Sequence, residues 1–353
     1  MRITLEEFKE IRKNLRNISD LSRLNYPRGA LFTILNQKKV DHVKYDYGIA
    51  IKKLDELAGY WEKNKKFPGW LRLTPMMRIR LLLRSLNFSK KEIKKYLSDP
   101  EEIEDDSLRE IVWKATFTDF IYSPIAVKHQ FARGRLGENI IERWLIEKNI
   151  KFKTENDLKK ECTKTPDFFF PEPLMIDGEE VNWIESKALF GDPKTHWIYW
   201  KKQFSQYLEL FGNGFAIYWF GKVIGLDDRV RIWNESYFHS PMRSALLDMK
   251  IFTAGSRIYK GEKLEKIVND LSISTIADLG ADISDISFDS VRQINLDFDR
   301  VYSREFVDAV CKLIDQYSYG RILILGRERD WRKCKRRHLS WILKNMGFSV
   351  VHL

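Results

Sequence analysis

The sequence predicts a mixed α/β protein in three parts: a helical N-terminal region to about residue 125 with a helix-turn-helix-like module, a central α/β region over 126–238, and a small C-terminal α/β region over 239–353. Three observations carry this. Capped segments of helical period fill the first part, an Asp-Gly turn joins two β-rich runs in the second, and apolar strands alternate with helical periods in the third. At 353 residues, 44% hydrophobic and 13% aromatic, the chain has ample material for two or three cores.

In the first part Thr4 and Glu7 form a capping box, with Ile3 and Phe8 placed as a hydrophobic staple, so a helix begins there. More helices follow through Ile34 and Leu57. In LTPMMRIRLLLRSLNFSKKEIKKYLSDP, Thr74 is an N-cap with Pro75 at the first helical position, Asn87 breaks the helix, and Ser89 with Glu92 caps a second one. The result reads as helix, turn, helix. On the second helix Lys90, Lys91, Lys94 and Lys95 share one face while Ile93 and Leu97 turn to the core. That face is either a nucleic-acid contact or an ordinary solvated lysine face.

In the middle part Ile140, Ile141, Trp144 and Leu145 recur at helical spacing, then Asn149 precedes a short strand at Ile150 to Phe152. TPDFFF and VNWIESKAL read as strands joined through Asp177-Gly178, the dipeptide suited to a tight hairpin. An aromatic helix, THWIYWKKQFSQYLELFG, and a buried strand, FAIYWFG, follow. The aromatic density from Trp197 to Trp219 offers base stacking or core packing, and core packing is the reading favoured by the helical spacing of Tyr207, Leu208 and Phe211. The last part alternates STIADLGA, VRQINLDFD, a helix over SREFVDAVCKLIDQY, the strand RILILG, a helix over RDWRKCKRRHLSWILKNMG, and the strand FSVVHL, which predicts a small sheet with parallel pairs. IADLGADISD has the look of a cofactor-binding strand and turn but lacks GxGxxG, so no nucleotide is expected.

The formal charge of +11 is spread over mixed surfaces, which favours nucleic acid as partner. No apolar run reaches the roughly 20 residues of a spanning helix, and MRITLEEFKE does not read as a signal peptide. The expectation is a soluble intracellular protein, cytoplasmic in a prokaryote, with no membrane partner and with room for a protein partner or a homodimer. Cys162, Cys311 and Cys334 are far apart and odd in number, against a disulfide framework or a zinc site.

Side chains alternate along a strand, so Glu185 and Lys187 share a face with Ser186 turned away, and Asp167 on the neighbouring strand can reach that face. Pro166 holds Thr165 extended and so fixes how Asp167 is delivered. Asp167, Glu185 and the main-chain carbonyl of Ser186 would form part of an oxygen cage for magnesium, with manganese a substitute. Glu138 on the preceding helix would complete the acidic cluster, and Lys187 would offset charge at a phosphate. Taken alone, an Asp followed by Glu-x-Lys is a weak pattern whose default reading is a charged hairpin face; the helix carrying Glu138, the Asp-Gly hairpin and the helix with Gln203 and Tyr207 in one compact segment shift it towards a site.

Asp167 with Glu185-Ser186-Lys187 resembles the PD-(D/E)XK nuclease signature. The wider run resembles the TPD-motif family within it, archaeal relatives of the codanin-interacting nuclease: LIEKNI, KTPDF, NWIESKALFGD, His196 with Tyr199, Gln203 with Tyr207, and FGNGFAIYWFG. The likeness is strongest over about 136–226, is loose in the helical N-terminal part, and says nothing of the last third. It implies a restriction-endonuclease-like fold over 126–238, with Asp167 and Glu185 as metal ligands, Lys187 as the catalytic lysine and Glu138 as the helix carboxylate. Gln203 and Tyr207 are similar to a Gln-x-x-x-Tyr element that lines the active site in one branch of the superfamily. His196 reads as a satisfied histidine more than a catalytic base.

RERDWRKCKRRH is the densest basic cluster. Arg327, Arg329, Arg332, Lys335 and Arg336 there form either an auxiliary nucleic-acid contact near a helix N-terminus or a solvated face. The expected function is a metal-dependent endonuclease hydrolysing phosphodiester bonds of structured or damaged DNA. The alternatives are a non-catalytic nucleic-acid-binding or scaffold protein with a nuclease fold, and an RNA-processing nuclease.

Overall fold

The computed structural model of the chain describes residues 1–160, 162–226, 229–233, 235–281 and 291–353. Compactness divides the chain into two units that do not follow chain order. One contains Met1–Ile34, Arg133–Met249 and Ser318–Gly320; the other contains Leu35–Ala132, Lys250–Tyr317 and Arg321–Leu353. The boundaries near 125 and 238 mark changes in sequence character, whereas those at 34 and 132 fall inside the helices Arg28–Ala50 and Pro124–Glu147. No described helix is long and apolar enough to cross a membrane.

In the first unit the helix Leu5–Asn14 opens with the expected capping box: Glu7 N–H donates to Thr4 Oγ1 at 3.1 Å and Thr4 N–H to the Glu7 carboxylate at 2.7 Å. Ile3 and Phe8 are both buried. The sheet has five strands whose spatial order is their chain order: Lys153–Thr154, Phe168–Ile176, Glu179–Lys187, Gly214–Tyr218 and Arg231–Trp233. The first two pairings are antiparallel and the last two parallel. Asp177 (φ 53°) and Gly178 (φ 81°) both take the left-handed backbone that a tight two-residue hairpin requires. The strand expected at Ile150 to Phe152 begins three residues later. Asn149 turns left-handed (φ 54°) and Ile150 N–H closes on the Leu145 carbonyl at 2.9 Å, so those residues serve the helix C-terminus.

The aromatic helix runs through Pro193–Tyr199, a single π turn at Trp200–Phe204, and Ser205–Phe211. Trp183, Phe204, Tyr207, Ala216 and Val230 form one buried cluster, so this helix covers the sheet face that carries Trp183. The aromatics are core, except that Trp197 is 43% exposed.

In the second unit the helices Pro75–Ser85 and Lys90–Ser98 flank Asn87, which sits at φ 62°. Ser89 and Glu92 cap the second helix as expected. Thr74 occupies the cap position of the first, but its hydroxyl makes no cap bond; Asp119 accepts Met76 N–H instead at 2.8 Å. A carboxylate 43 residues away in sequence has taken the role that local pattern gives to Thr74. The second sheet has five parallel strands in the order Arg292–Asn295, Ile273–Leu279, Arg321–Gly326, Lys250–Gly255, Ser349–His352. Of the segment 276–285, residues 282–285 lie outside the described residues. The basic helix expected from Arg329 onward is broken: Trp331–Lys333 is a 3₁₀ turn, Cys334 is extended, and the α-helix is Arg336–Asn345. Asp330 accepts from Arg332 N–H at 3.0 Å and so caps the short turn rather than the helix.

Candidate active site

The Asp-Gly hairpin sets Phe168 opposite Ile184, which brings Asp167 alongside Glu185 and Ser186. Two main-chain bonds then lock the pair. Ser186 N–H donates to Asp167 Oδ2 at 2.7 Å, and Asp167 N–H donates to Glu185 Oε2 at 3.0 Å. Successive residues of a strand aim their main-chain groups at opposite edges. The Lys187 carbonyl accepts from Trp219 N–H at 3.0 Å on the Gly214–Tyr218 edge, so the Ser186 carbonyl shares the Asp167 edge with its own N–H.

Glu185 is 2% exposed. Lys187 Nζ donates to its carboxylate and lies 4.6 Å from the ring centroid of Tyr199. Tyr207 is buried, and its O–H donates to the Thr165 carbonyl at 2.8 Å. It therefore holds the Thr-Pro-Asp backbone, a positioning role that reaches Asp167 through the chain. Gln203 stands in the π turn four residues ahead of Tyr207, with its Oε1 buried and without a hydrogen bond. His196 is buried, and its Nδ1 lies 3.0 Å from the Tyr218 hydroxyl.

Glu138 comes from the helix Pro124–Glu147 on the other face of the sheet. The residue before it, Gly137, explains how close that helix approaches: a Cβ there would stand 2.3 Å from Trp219 Nε1 and 3.0 Å from Ser186 Oγ, two atoms that are themselves hydrogen-bonded at 2.8 Å. Only a glycine lets the helix backbone rest on Ser186, and the next residue, Glu138, is near enough to feel the Asp167 charge.

The electrostatics follow from this crowding. Burial and then the Glu185 charge push Asp167 up to about 8. Burial and then the Asp167 charge push Glu138 up to about 7. Burial also raises Glu185, against the pull of Lys187. For Lys187 burial acts to lower the value, but Glu185 and Asp167 outweigh it and hold the ammonium above the ordinary lysine value. Carboxylates whose charged forms burial and mutual repulsion disfavour are hard oxygen donors, and a divalent cation would relieve that repulsion. Among the described residues, no three His, Cys, Asp or Glu side chains are gathered at metal-binding distances.

Sequence reasoning missed Gly137, whose packing role has no local signature. It also missed Glu155, an exposed carboxylate whose charge is felt at Glu138, Asp167 and Glu185. The Thr154–Asp157 capping box that begins its helix was the available signal.

The candidate nucleic-acid residues belong to the second unit. Lys90, Lys91, Lys94 and Lys95 are all exposed, Ile93 and Leu97 are half-buried, and Lys95 pairs with Glu102 at 2.8 Å. Arg327 and Arg329 are exposed, Arg332 pairs with Asp330 at 3.0 Å, and Lys335 Nζ donates to the Phe298 carbonyl. Arg336 does not fit the expectation. It is 1% exposed and its guanidinium donates to the carbonyls of Glu328 and Arg329, so it anchors the loop from within.

Residues 104–235 match the TPD family model. That family is described as a protein of unknown function with a TPD sequence motif. The chain is 39% identical over 140 residues to human CDAN1-interacting nuclease 1, covering 39% of this chain and 50% of the human one. The bovine protein of the same name is 38% identical over 140 residues, with 39% and 50% covered. The zebrafish (Danio rerio) protein is 38% identical over 140 residues, with 39% and 47% covered. The chain thus spans about half the length of the curated relatives it matches. No solved structure matches it. The TPD match takes in Glu138, Asp167, Glu185, Lys187, Gln203 and Tyr207, and it excludes the whole terminal sheet.

Proposed function

We propose that the chain is a metal-dependent endonuclease of the PD-(D/E)XK type that hydrolyses phosphodiester bonds of DNA, with structured or damaged DNA as the substrate class. The observation that carries this is the interlocked set of Asp167, Glu185 and Lys187, bonded through main chain and side chain. The likeness to relatives named as nucleases supports the same reading. So does the order of the first sheet, one antiparallel hairpin followed by parallel strands with a helix on either face.

Asp167, Glu185 and the Ser186 carbonyl are the groups that would hold magnesium or manganese, with Glu138 as the fourth. When bound, such a cation supplies Lewis-acid stabilisation of a phosphate oxygen and acidifies a water. Lys187, kept protonated by Glu185 and Asp167, places a positive charge where charge builds on the phosphate. Glu138, raised to about 7 by burial and the Asp167 charge without a cation, would give up its proton more readily once a cation is held beside it. Tyr207 keeps the Thr165 carbonyl, and with it Asp167, in register.

Calorimetric titration with magnesium and with manganese tests this. The wild type binds, and Asp167→Ala and Glu185→Ala lose the binding while remaining folded. Equal binding by either variant would place the cation elsewhere and defeat the assignment.

A further inference from the structure

Two clefts of the second unit share a wall, and neither belongs to the acid site. One, about 780 Å³, is lined by Trp113, Tyr302 and Trp341 together with Arg109, Lys114 and Arg300. The other, about 450 Å³, is lined by Arg332, Lys333, Lys335, Arg337 and His338. The shared wall is the loop 298–302, which turns Arg300 and Tyr302 into the first cleft and Phe298, Asp299 and Val301 into the second. The helix Arg336–Asn345 does the same, giving Arg337 and His338 to one cleft and Trp341, a turn beyond Arg337, to the other.

The two compartments differ in chemistry. In the first, Glu101 pairs with Arg300 and Asp106 with Arg109, so charge is largely internally balanced and the open surface is aromatic. Tyr302 is 52% exposed and Trp341 is 47% exposed. Tyr302 is also held at φ 64°, a backbone that costs a bulky L-residue roughly 1–2 kcal/mol, with its ring edge-on to Trp113 and Phe117. In the second compartment Arg332 is paired with Asp330 and Lys335 donates to the Phe298 carbonyl, and the exposed Lys333 and Arg337 stand with Asp299 as the only acid among the described lining residues. Half-exposed aromatic rings beside a cationic cleft match the two halves of a nucleotide, the π-face of a base and its phosphate.

We propose that these adjoining clefts form a docking face for a single strand of DNA, with bases on Tyr302 and Trp341 and backbone phosphates along Lys333 and Arg337. A duplex is a poorer occupant because its bases are stacked inside and cannot reach the rings. The choice of DNA over RNA rests on the proposed nuclease reading, whereas the unpaired strand follows from the clefts themselves.

Fluorescence anisotropy of a labelled oligothymidylate of about 15 nucleotides, titrated with the full chain in chelator, reads binding without cleavage. Trp341→Ala weakens binding about tenfold, the loss of one base stack, with an unchanged salt slope. Lys333→Ala combined with Arg337→Ala weakens it and flattens the slope of log K against log salt by about 1.4, two phosphate contacts at about 0.7 each. Tyr302→Gly, which relieves the backbone strain, also binds more weakly while its thermal midpoint holds. Wild-type binding in all three variants, or equally tight binding of the matching duplex or of oligouridylate, overturns the proposal. Cleavage assayed separately with magnesium distinguishes the two readings: a failure of the docking face leaves acid-dependent cleavage intact, and a failure of the nuclease reading leaves strand binding intact.

Discussion

Asp167 is an acid that folding makes weaker. Unfolded, it and its neighbours ionise at about 4, whereas folded, Asp167 sits at about 8 and Glu138 at about 7. The cation-free folded chain therefore holds more protons than the unfolded one across that interval, and its stability falls as pH rises from about 4 to about 8. Thermal midpoints in chelator should decline across that range, and Asp167→Asn should decline less steeply because its share of the proton linkage is gone. Parallel curves for the two proteins would contradict the burial argument. Tyr207 is the complementary case, a residue whose effect is indirect. Tyr207→Phe keeps the ring in its cluster but removes the bond to the Thr165 carbonyl, at a cost of about 1 kcal/mol in denaturant unfolding. Its turnover should fall further than its substrate affinity, since the change loosens Asp167 and leaves the binding surfaces alone.

At the scale of elements, the hairpin was legible because Asp177-Gly178 carries a backbone requirement that few dipeptides meet, and the two capping boxes because their partners lie three residues apart. What was not legible is long-range. Asp119 replaces the Thr74 hydroxyl at a helix start, and Gly137 owes its identity to Trp219 and Ser186, far away in sequence. The Pro124–Glu147 helix offers a contrast within itself. Gly137→Ala must push the helix off the sheet and should cost about 1–3 kcal/mol by overpacking, with a loss of cleavage as Glu138 is displaced. Gly134→Ala, one turn earlier, meets nothing within 4 Å and should raise stability by roughly 1 kcal/mol through helix propensity alone. Thermal unfolding and cleavage of both variants check the pair, and equal behaviour would remove the close-approach explanation.

At the scale of the whole molecule, sequence character changes near 125 and 238, yet compact packing joins the first 34 residues to the central sheet and the residues 35–132 to the terminal one. Local periodicity reports what each segment is, and cannot report which distant segment it packs against. Strand alternation and one turn predict that Asp167, Glu185 and Lys187 converge, but that pattern alone reads first as a charged hairpin face, and its reading as an acid site comes from the wider resemblance. Arg336 was misread because, among the six basic residues from Arg327 to Arg336, nothing local distinguishes the one that folds inward. The central claim is that this convergence cleaves DNA with a divalent cation. Its most direct test is a cleavage panel of flapped, branched, single-stranded and duplex DNA beside structured RNA, each with magnesium or with chelator, for the wild type and for Asp167→Ala. The account expects metal-dependent cuts in at least one structured DNA by the wild type and none by the variant, and wild-type cleavage surviving in Asp167→Ala, or cleavage of RNA alone, would contradict it.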